Sequence, residues 1–183
     1  MVLNSSLLQK LLHEFEVDTQ FWGIREAKTV SDLLSEILED ESYLRIDKDG
    51  IIRVVEIVKM FIPNVLYPHR GYLLEWGQYF PDGRYRERKQ NPAGKIKRGE
   101  SPEEALIREA QEELSINKCE FYELSALTTE LESGSSRSYP GLSCLYIVHG
   151  FNMILGNESE VYSKSEFTKT EKNGTKLIFK WEK

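Results

Sequence analysis

The stretch GKIKRGESPEEALIREAQEELSI, Gly94 to Ile116, decides how this 183-residue chain is read. Ser101 and Glu104, three residues apart, make a capping box, and Pro102 stands at the first helical position, where its missing N–H costs nothing. The segment therefore predicts a helix beginning at Pro102. At about 100° per residue, Leu106, Ile107, Ala110 and Leu114 fall on one apolar stripe that seats the helix on a core. Glu109, Glu112 and Glu113 fall on the adjoining sector. Like charges three and four residues apart on a helix repel, so the arrangement costs stability unless a cation lies among them.

Three carboxylates with no histidine or cysteine among them are hard oxygen donors, a set that suits Mg²⁺ or Mn²⁺ better than zinc. Mg²⁺ dehydrates reluctantly and is completed by waters and substrate phosphates. That chemistry points to attack of water on phosphorus. Taken alone, three glutamates are more simply a solvated acidic helix face. Their context argues otherwise.

Gly94, five residues, Glu100, seven residues, then Arg108-Glu109-Ala110-Gln111-Glu112-Glu113-Leu114-Ser115-Ile116 resembles the Nudix box, G-x5-E-x7-R-E-U-x-E-E-x-G-U with U aliphatic. Six charged or glycine positions agree, and at about one residue in fifteen for each, chance gives this roughly once in 10⁷ trials. As a motif the likeness spans Gly94 to Ile116; by order of elements it runs from Ile51 to the C-terminus. Two positions depart from the pattern. Ala110 is small for the aliphatic slot, and Ser115 replaces the glycine that ends the helix, where a Cβ disfavours the left-handed turn by about 1 kcal/mol.

The resemblance implies a divalent-metal-dependent pyrophosphohydrolase with Mg²⁺ or Mn²⁺ as cofactor. It implies that Glu112 and Glu113 bind the metal with the carbonyl of Gly94, and that Glu109 is a further ligand or takes the proton from water. Arg108 would hold Glu109 by a charge-assisted hydrogen bond, and Glu100 would be an auxiliary ligand or anchor. The general base is not at one fixed place in this family, so Glu130, Glu132, Glu158 and Glu160 stay open beside Glu109. Asn91-Pro92-Ala93-Gly94-Lys95-Ile96 resembles the opening of the box in the ADP-ribose and sugar-nucleotide branch, which slightly favours such a substrate and, by analogy, a homodimer. For a nucleotide, Tyr139 is a candidate to stack on the base, and Arg84, Arg86 and Arg137 are candidates to meet phosphate.

Composition narrows the alternatives. A hydrophobic fraction of 40% with 11% aromatics fits one folded domain, and no run approaches the about 20 apolar residues of a membrane helix. A net charge of −6 argues against stable nucleic-acid binding, although Arg84 to Arg98 concentrates seven cations that could line a phosphate site or a solvated hairpin. Cys119 and Cys144 have no metal-ligand spacing. The opening residues lack the basic and apolar regions of a secretory signal, so a cytoplasmic protein is expected.

Outside the box, Leu7, Leu8, Leu11, Leu12 and Phe15, then Val30, Leu33, Leu34, Ile37 and Leu38, recur at helical spacing, with Thr29 or Ser31 as a cap for the second helix. Asp47 to Gly50 reads as a turn and Ile51 to Ile62 as a β-branched strand. Hairpins are expected around Pro81-Asp82-Gly83 and around Asn173-Gly174. Phe121 to Leu131 and Leu142 to Leu155 are further strands, the latter central, separated by a polar loop from Glu132.

The fold expected is α/β, a Nudix-type α/β/α sandwich with a mixed sheet. It divides into a helical extension over residues 1–48 and a catalytic domain over 49–183, with an N-terminal helix covering a sheet face. The function expected is hydrolysis of a nucleoside diphosphate linked to another group. A noncatalytic sensor or interaction module on the same fold is the alternative, but a pure binder has no need of Arg108, Glu109, Glu112 and Glu113 together.

Overall fold

Helix α1 (Ser5–Glu14) starts where the side chain of Asn4 accepts the Leu7 N–H, at 3.0 Å. The structure, a computed structural model, describes residues 3–25, 27–136, 138–171 and 174–183, with Thr128 described for its backbone alone. Helix α2 (Val30–Leu38) opens on a capping box between Thr29 and Asp32, so Thr29 is the cap and Ser31 is not. Strands β1 (Tyr43–Asp47) and β2 (Gly50–Phe61) then form an antiparallel hairpin, with Tyr43 opposite Val54 and Asp47 opposite Gly50.

The remaining strands are β3 (Tyr72–Tyr79), β4 (Tyr85–Gln90) and β5 (Ala93–Lys95), then β6 (Phe121–Ser135), β7 (Ser143–Leu155), β8 (Glu166–Thr170) and β9 (Lys176–Glu182). Helix α3 (Pro102–Leu114) lies between β5 and β6 in the chain. One sheet runs β1-β2-β7-β6, with β5 paired to β2; the other runs β4-β3-β9-β8. Strand β7 is interior, as its apolar run demands.

The fold is the mixed α/β type the sequence predicts, with helices ahead of the sheets, and it differs at β1, at the short β5, which the sequence reads as loop, and at the end of β6. Strand β1 stands where the sequence suggested nothing beyond a turn, because its alternation is short and its tyrosine and isoleucine remain exposed. Strand β6 continues to Ser135, through residues read as a polar loop. Pairing with a neighbour, rather than β propensity, carries those polar residues in extended form. The hairpin of β8 and β9 is antiparallel as expected, and Asn173 of its turn lies outside the described residues.

By compactness the chain forms two units. The first comprises Met1–Ile57, Lys95–Glu100 and Thr129–Val148. Its core joins Leu8 and Leu12 of α1, Leu33 of α2, Val17 and Trp22 of their connector, Ile51 of β2, and Tyr139 and Leu142. Leu11, Phe15, Val30, Leu34, Ile37 and Leu44 pack around it, so the N-terminal helices dock on strand residues rather than project freely. Leu38, at the end of α2, is exposed and leaves the expected stripe. The Trp22 indole donates to the Pro140 carbonyl at 2.8 Å, tying the connector down.

The second unit comprises Val58–Gly94, Ser101–Thr128 and His149–Lys183. It holds the four-stranded sheet and α3. Leu106, Ala110 and Leu114 of α3 are buried, as are Met60, Leu73, Met153 and Phe179. Among the described residues no helix is long and apolar enough to cross a membrane.

Candidate active site

The start of α3 is built as its sequence dictates. Ser101 Oγ accepts the Glu104 N–H at 3.2 Å, and Glu104 accepts the Ser101 N–H at 2.8 Å, while Pro102 is the first helical residue. The helix ends at Ser115 with φ 59° and ψ 27°, a left-handed conformation. Ser115 thus bears the strain a glycine would avoid. Its hydroxyl is used: Lys169 of β8 donates to Ser115 Oγ at 2.6 Å.

The buried face of α3 is rotated from the one expected. Ala105, Leu106, Glu109, Ala110 and Leu114 are buried, whereas Ile107 is half-buried. Glu109 therefore lies inside the apolar stripe. Its Oε1 receives Arg108 Nη1 at 2.7 Å, the charge-assisted bond anticipated for that pair. On the other side lies Gly94: a Cβ built there would fall 2.0 Å from Glu109 Cδ and 2.5 Å from Oε2. Only a residue without a side chain lets the Glu109 carboxyl lie there.

Burial, and then the negative charges of Glu109, Glu75 and Glu171, push the Glu113 carboxyl well above the ordinary carboxylate range; Arg88 pulls it the other way. Glu75 and Glu171 carry no signal in the sequence. Glu75 is buried on β3, where its carboxylate accepts from Gln78 Nε2 at 2.6 Å and from Arg88 Nε at 3.3 Å. The register of β3 shifts between Glu75 and Gly77 against both β4 and β9. On β4, Lys89 takes φ 46° as the extra residue. Such irregularities re-aim side chains. Glu171 follows β8, its N–H on the Thr175 carbonyl at 2.8 Å.

The other expected residues are scattered. Glu112 is 57% exposed by side chain, with Arg108 Nη1 at 3.5 Å from its Oε2. It stands on the rim of an open hollow of about 610 Å³ that Arg108, Lys118 and Lys169 also line. Glu100 accepts the Lys97 N–H at 3.0 Å, within its own loop. Arg84 turns back onto Asp82 at 2.7 Å at the tip of the β3–β4 hairpin, and Arg86 is half-buried on β4. Arg137 lies outside the described residues. Glu130 and Glu132 are exposed on β6; Glu158 and Glu160 are exposed between β7 and β8, with Glu160 3.3 Å from Lys164.

Tyr139 corrects an expectation. It is fully buried in the N-terminal core, its ring 5.0 Å from that of Trp22 and 5.2 Å from the Arg53 guanidinium. Buried against Trp22 and Arg53, it serves packing rather than a nucleotide base. The basic stretch is also largely neutralised: besides Arg84, Arg88 meets Glu75, Lys89 meets Glu87, and Lys95 meets Glu36 and Glu41.

Among the described residues no three His, Cys, Asp or Glu side chains form a ready-made metal cage. Two observations nevertheless fit a hard dication. Burial and the negative charges of Glu109, Glu75 and Glu171 raise the pKa of the Glu113 carboxyl, and the Glu109 carboxyl packs directly on the bare backbone of Gly94, where a Cβ would overlap it.

Comparison with known proteins agrees with this architecture. The model of the NUDIX domain matches residues 54–170. No curated protein matches the sequence. Among solved structures, a C. elegans Ap4A hydrolase is 21% identical over 68% of this chain and 79% of its own, with a TM-score of 0.35. A NUDIX hydrolase from Nitrosomonas europaea is 18% identical over 69% and 72%, with a TM-score of 0.39. The E. coli ORF135 protein is 21% identical over 56% and 66%, with a TM-score of 0.32. Those three likenesses are too loose to argue from. The domain match covers more than half of the chain and contains Gly94, Glu109 and Glu113, and on that ground the chain belongs to the NUDIX domain family.

Proposed function

We propose that this Nudix-type pyrophosphohydrolase cleaves a nucleoside diphosphate linked to a second group, releasing a nucleoside monophosphate and a phosphorylated remainder, with Mg²⁺ or Mn²⁺ as cofactor. An ADP-ribose or sugar-nucleotide substrate is slightly favoured, on the residues Pro92 to Ile96. The observation that carries the reading is the placement of Glu109, held by Arg108 at 2.7 Å and packed on Gly94, four residues before a Glu113 whose carboxyl pKa is raised by burial and by the charges of Glu109, Glu75 and Glu171. Repulsion of that kind is relieved by a dication whose remaining positions are taken by water and phosphate oxygens.

In this reading Glu109, Glu113 and the Gly94 carbonyl hold the metal, with Glu112 as a further donor. When bound, the ion neutralises charge on the diphosphate and acidifies water. The protein's own part is positional. Arg108 holds Glu109 Oε1 and so fixes the carboxylate against Gly94. Gln78 and Arg88 keep Glu75 an acceptor beside that pair. Arg86, and Arg84 once released from Asp82, supply cations for the outer phosphate.

Product analysis tests this over a panel of ADP-ribose, NDP-sugars, dinucleoside polyphosphates and nucleoside triphosphates. Wild type, Glu109→Gln and Glu112→Gln would be compared in Mg²⁺ and in EDTA. Turnover of at least one compound in Mg²⁺ is expected, with a loss of about 10²-fold or more for Glu109→Gln. No turnover of any compound, or metal-independent turnover, defeats the reading.

A further inference from the structure

Ser115 stands where the box pattern has glycine, and it keeps a left-handed backbone, φ 59°, that a Cβ disfavours. Its hydroxyl has a use that glycine could not serve. Lys169 of β8 donates to Ser115 Oγ at 2.6 Å, which brings the ammonium to the C-terminal end of α3. Lys118 opens the short 3₁₀ turn that follows the helix. Both lysines line the open hollow of about 610 Å³, together with Glu104, Ile107, Arg108 and Glu112 of α3. Three cations and two carboxylates thus face one opening, and the carboxylates are already engaged. Glu104 Oε2 accepts from the Ser101 N–H and from Ser101 Oγ, each at 2.8 Å. Glu112 Oε2 has Arg108 Nη1 at 3.5 Å.

Among the described residues neither Lys118 nor Lys169 pairs with a carboxylate. The helix end beside them favours cations through its dipole, so their charge is held there without an acidic partner. A small anion with several oxygens meets both at once. We propose that the hollow is a phosphate subsite: Lys118 and Lys169 hold the phosphoryl group that leaves with the remainder of the substrate, and Ser115 sets Lys169 in place for it. Glu112 on the rim joins the subsite to the acidic residues of α3. The inference rests on the reading of the reaction as pyrophosphate cleavage. It goes beyond that reading, which puts no residue of β8 or of the turn after α3 on the substrate, and it gives a purpose to the one polar departure from the box.

Its test uses the full chain, isotope-labelled for amide NMR, with inorganic pyrophosphate in EDTA, so that no metal bridges the anion to the glutamates. Saturable binding is expected, with shifts at the amides of Ser115, Lys118 and Lys169. Lys118→Met and Lys169→Met should each weaken it by about 5-fold, the low end for a hydrogen bond to a charged group. Lys164→Met removes the same charge from a residue that does not line the hollow and should leave binding unchanged. On whichever panel compound turns over in Mg²⁺, the two hollow variants should raise KM by a similar factor with kcat little changed, as loss of uniform binding requires. Ser115→Gly should also weaken binding and raise KM, without lowering the melting temperature.

Pyrophosphate that never saturates the chain, or that shifts only amides away from the hollow, overturns the proposal. Lysine variants that bind it as wild type does overturn it equally. Equal weakening by Lys164→Met reduces the effect to net charge and has the same consequence. A Ser115→Gly that binds and turns over like wild type removes the serine's part, since a merely structural residue moves the melting temperature alone. The two readings fail separately: turnover in Mg²⁺ without pyrophosphate binding at the hollow defeats the subsite, whereas binding that the lysine variants weaken, on a chain that cleaves no panel compound, keeps the anion site and defeats the proposed cleavage.

Discussion

A methyl group at residue 94 would stand 2.0 Å from Glu109 Cδ, inside any permitted contact. Gly94→Ala should therefore displace either β5 or the carboxylate and weaken Mn²⁺ binding by about 10-fold or more, read by electron paramagnetic resonance. At the other end of the box the substitution runs in the protein's favour. Ser115 holds φ 59°, which costs a residue with a Cβ about 1 kcal/mol. Ser115→Gly removes that cost and loses one exposed bond from Lys169. A melting temperature higher by about 2 °C is expected by calorimetry, at about 2–4 °C per kcal/mol for a chain of this length. The left-handed turn at Ser115 was legible in the sequence, because it belongs to a single position; the need for a bare backbone at Gly94 was not, because it depends on where Glu109 packs. Nor was the burial of Tyr139. It depends on Trp22, Arg53 and two helices far away in the chain.

At the scale of elements, α2 shows what a local pattern does and does not reveal. Its cap and apolar stripe are written in Thr29, Asp32, Leu33, Leu34 and Ile37. The burial of Glu36 on the same helix is written nowhere, since its partner Arg53 comes from β2. Burial raises the pKa of this carboxyl, and the charges of Arg53, Lys95 and Lys28 overcome it, holding the group at about 2 against an ordinary 4.5. A lowered folded pKa contributes stability that is present above the unfolded value and is lost as pH falls from 4.5 towards 2. Glu36→Gln should cost about 3–5 kcal/mol at neutral pH, because Arg53 is left buried without its counter-ion. The variant should also flatten the acid limb of the stability curve, as urea midpoints across that range would show. Replacing both by apolar residues, Glu36→Leu with Arg53→Met, should recover much of the loss. The misread strands follow the same logic: β1 and the end of β6 owe their form to a neighbouring strand, which a local window does not contain.

The whole chain carries a net charge of −6, and part of that excess converges on Glu113. Sequence spacing places Glu109 near Glu113. Bringing in Glu75 takes a strand with a register shift, and bringing in Glu171 takes the end of a C-terminal strand, so half of the acidic cluster is a property of the fold. The cluster makes the metal-free protein's response to pH opposite to that of Glu36. Folded Glu113 holds its proton more tightly than the unfolded chain does, so stability falls as pH rises from 4.5 through the raised folded pKa. A bound dication replaces that proton and cancels the loss. Melting curves in EDTA should therefore show a lower midpoint at pH 8 than at pH 5.5. Mg²⁺ at about one hundred times its dissociation constant should raise the pH 8 midpoint by about 5–10 °C, from about 2.7 kcal/mol of linkage. Glu113→Gln should be indifferent to both changes, because it removes the titrating group and a metal donor together. A wild-type midpoint at pH 8 that Mg²⁺ leaves unmoved would mean that Arg88 and solvent already quiet the cluster, and that no cation is needed there.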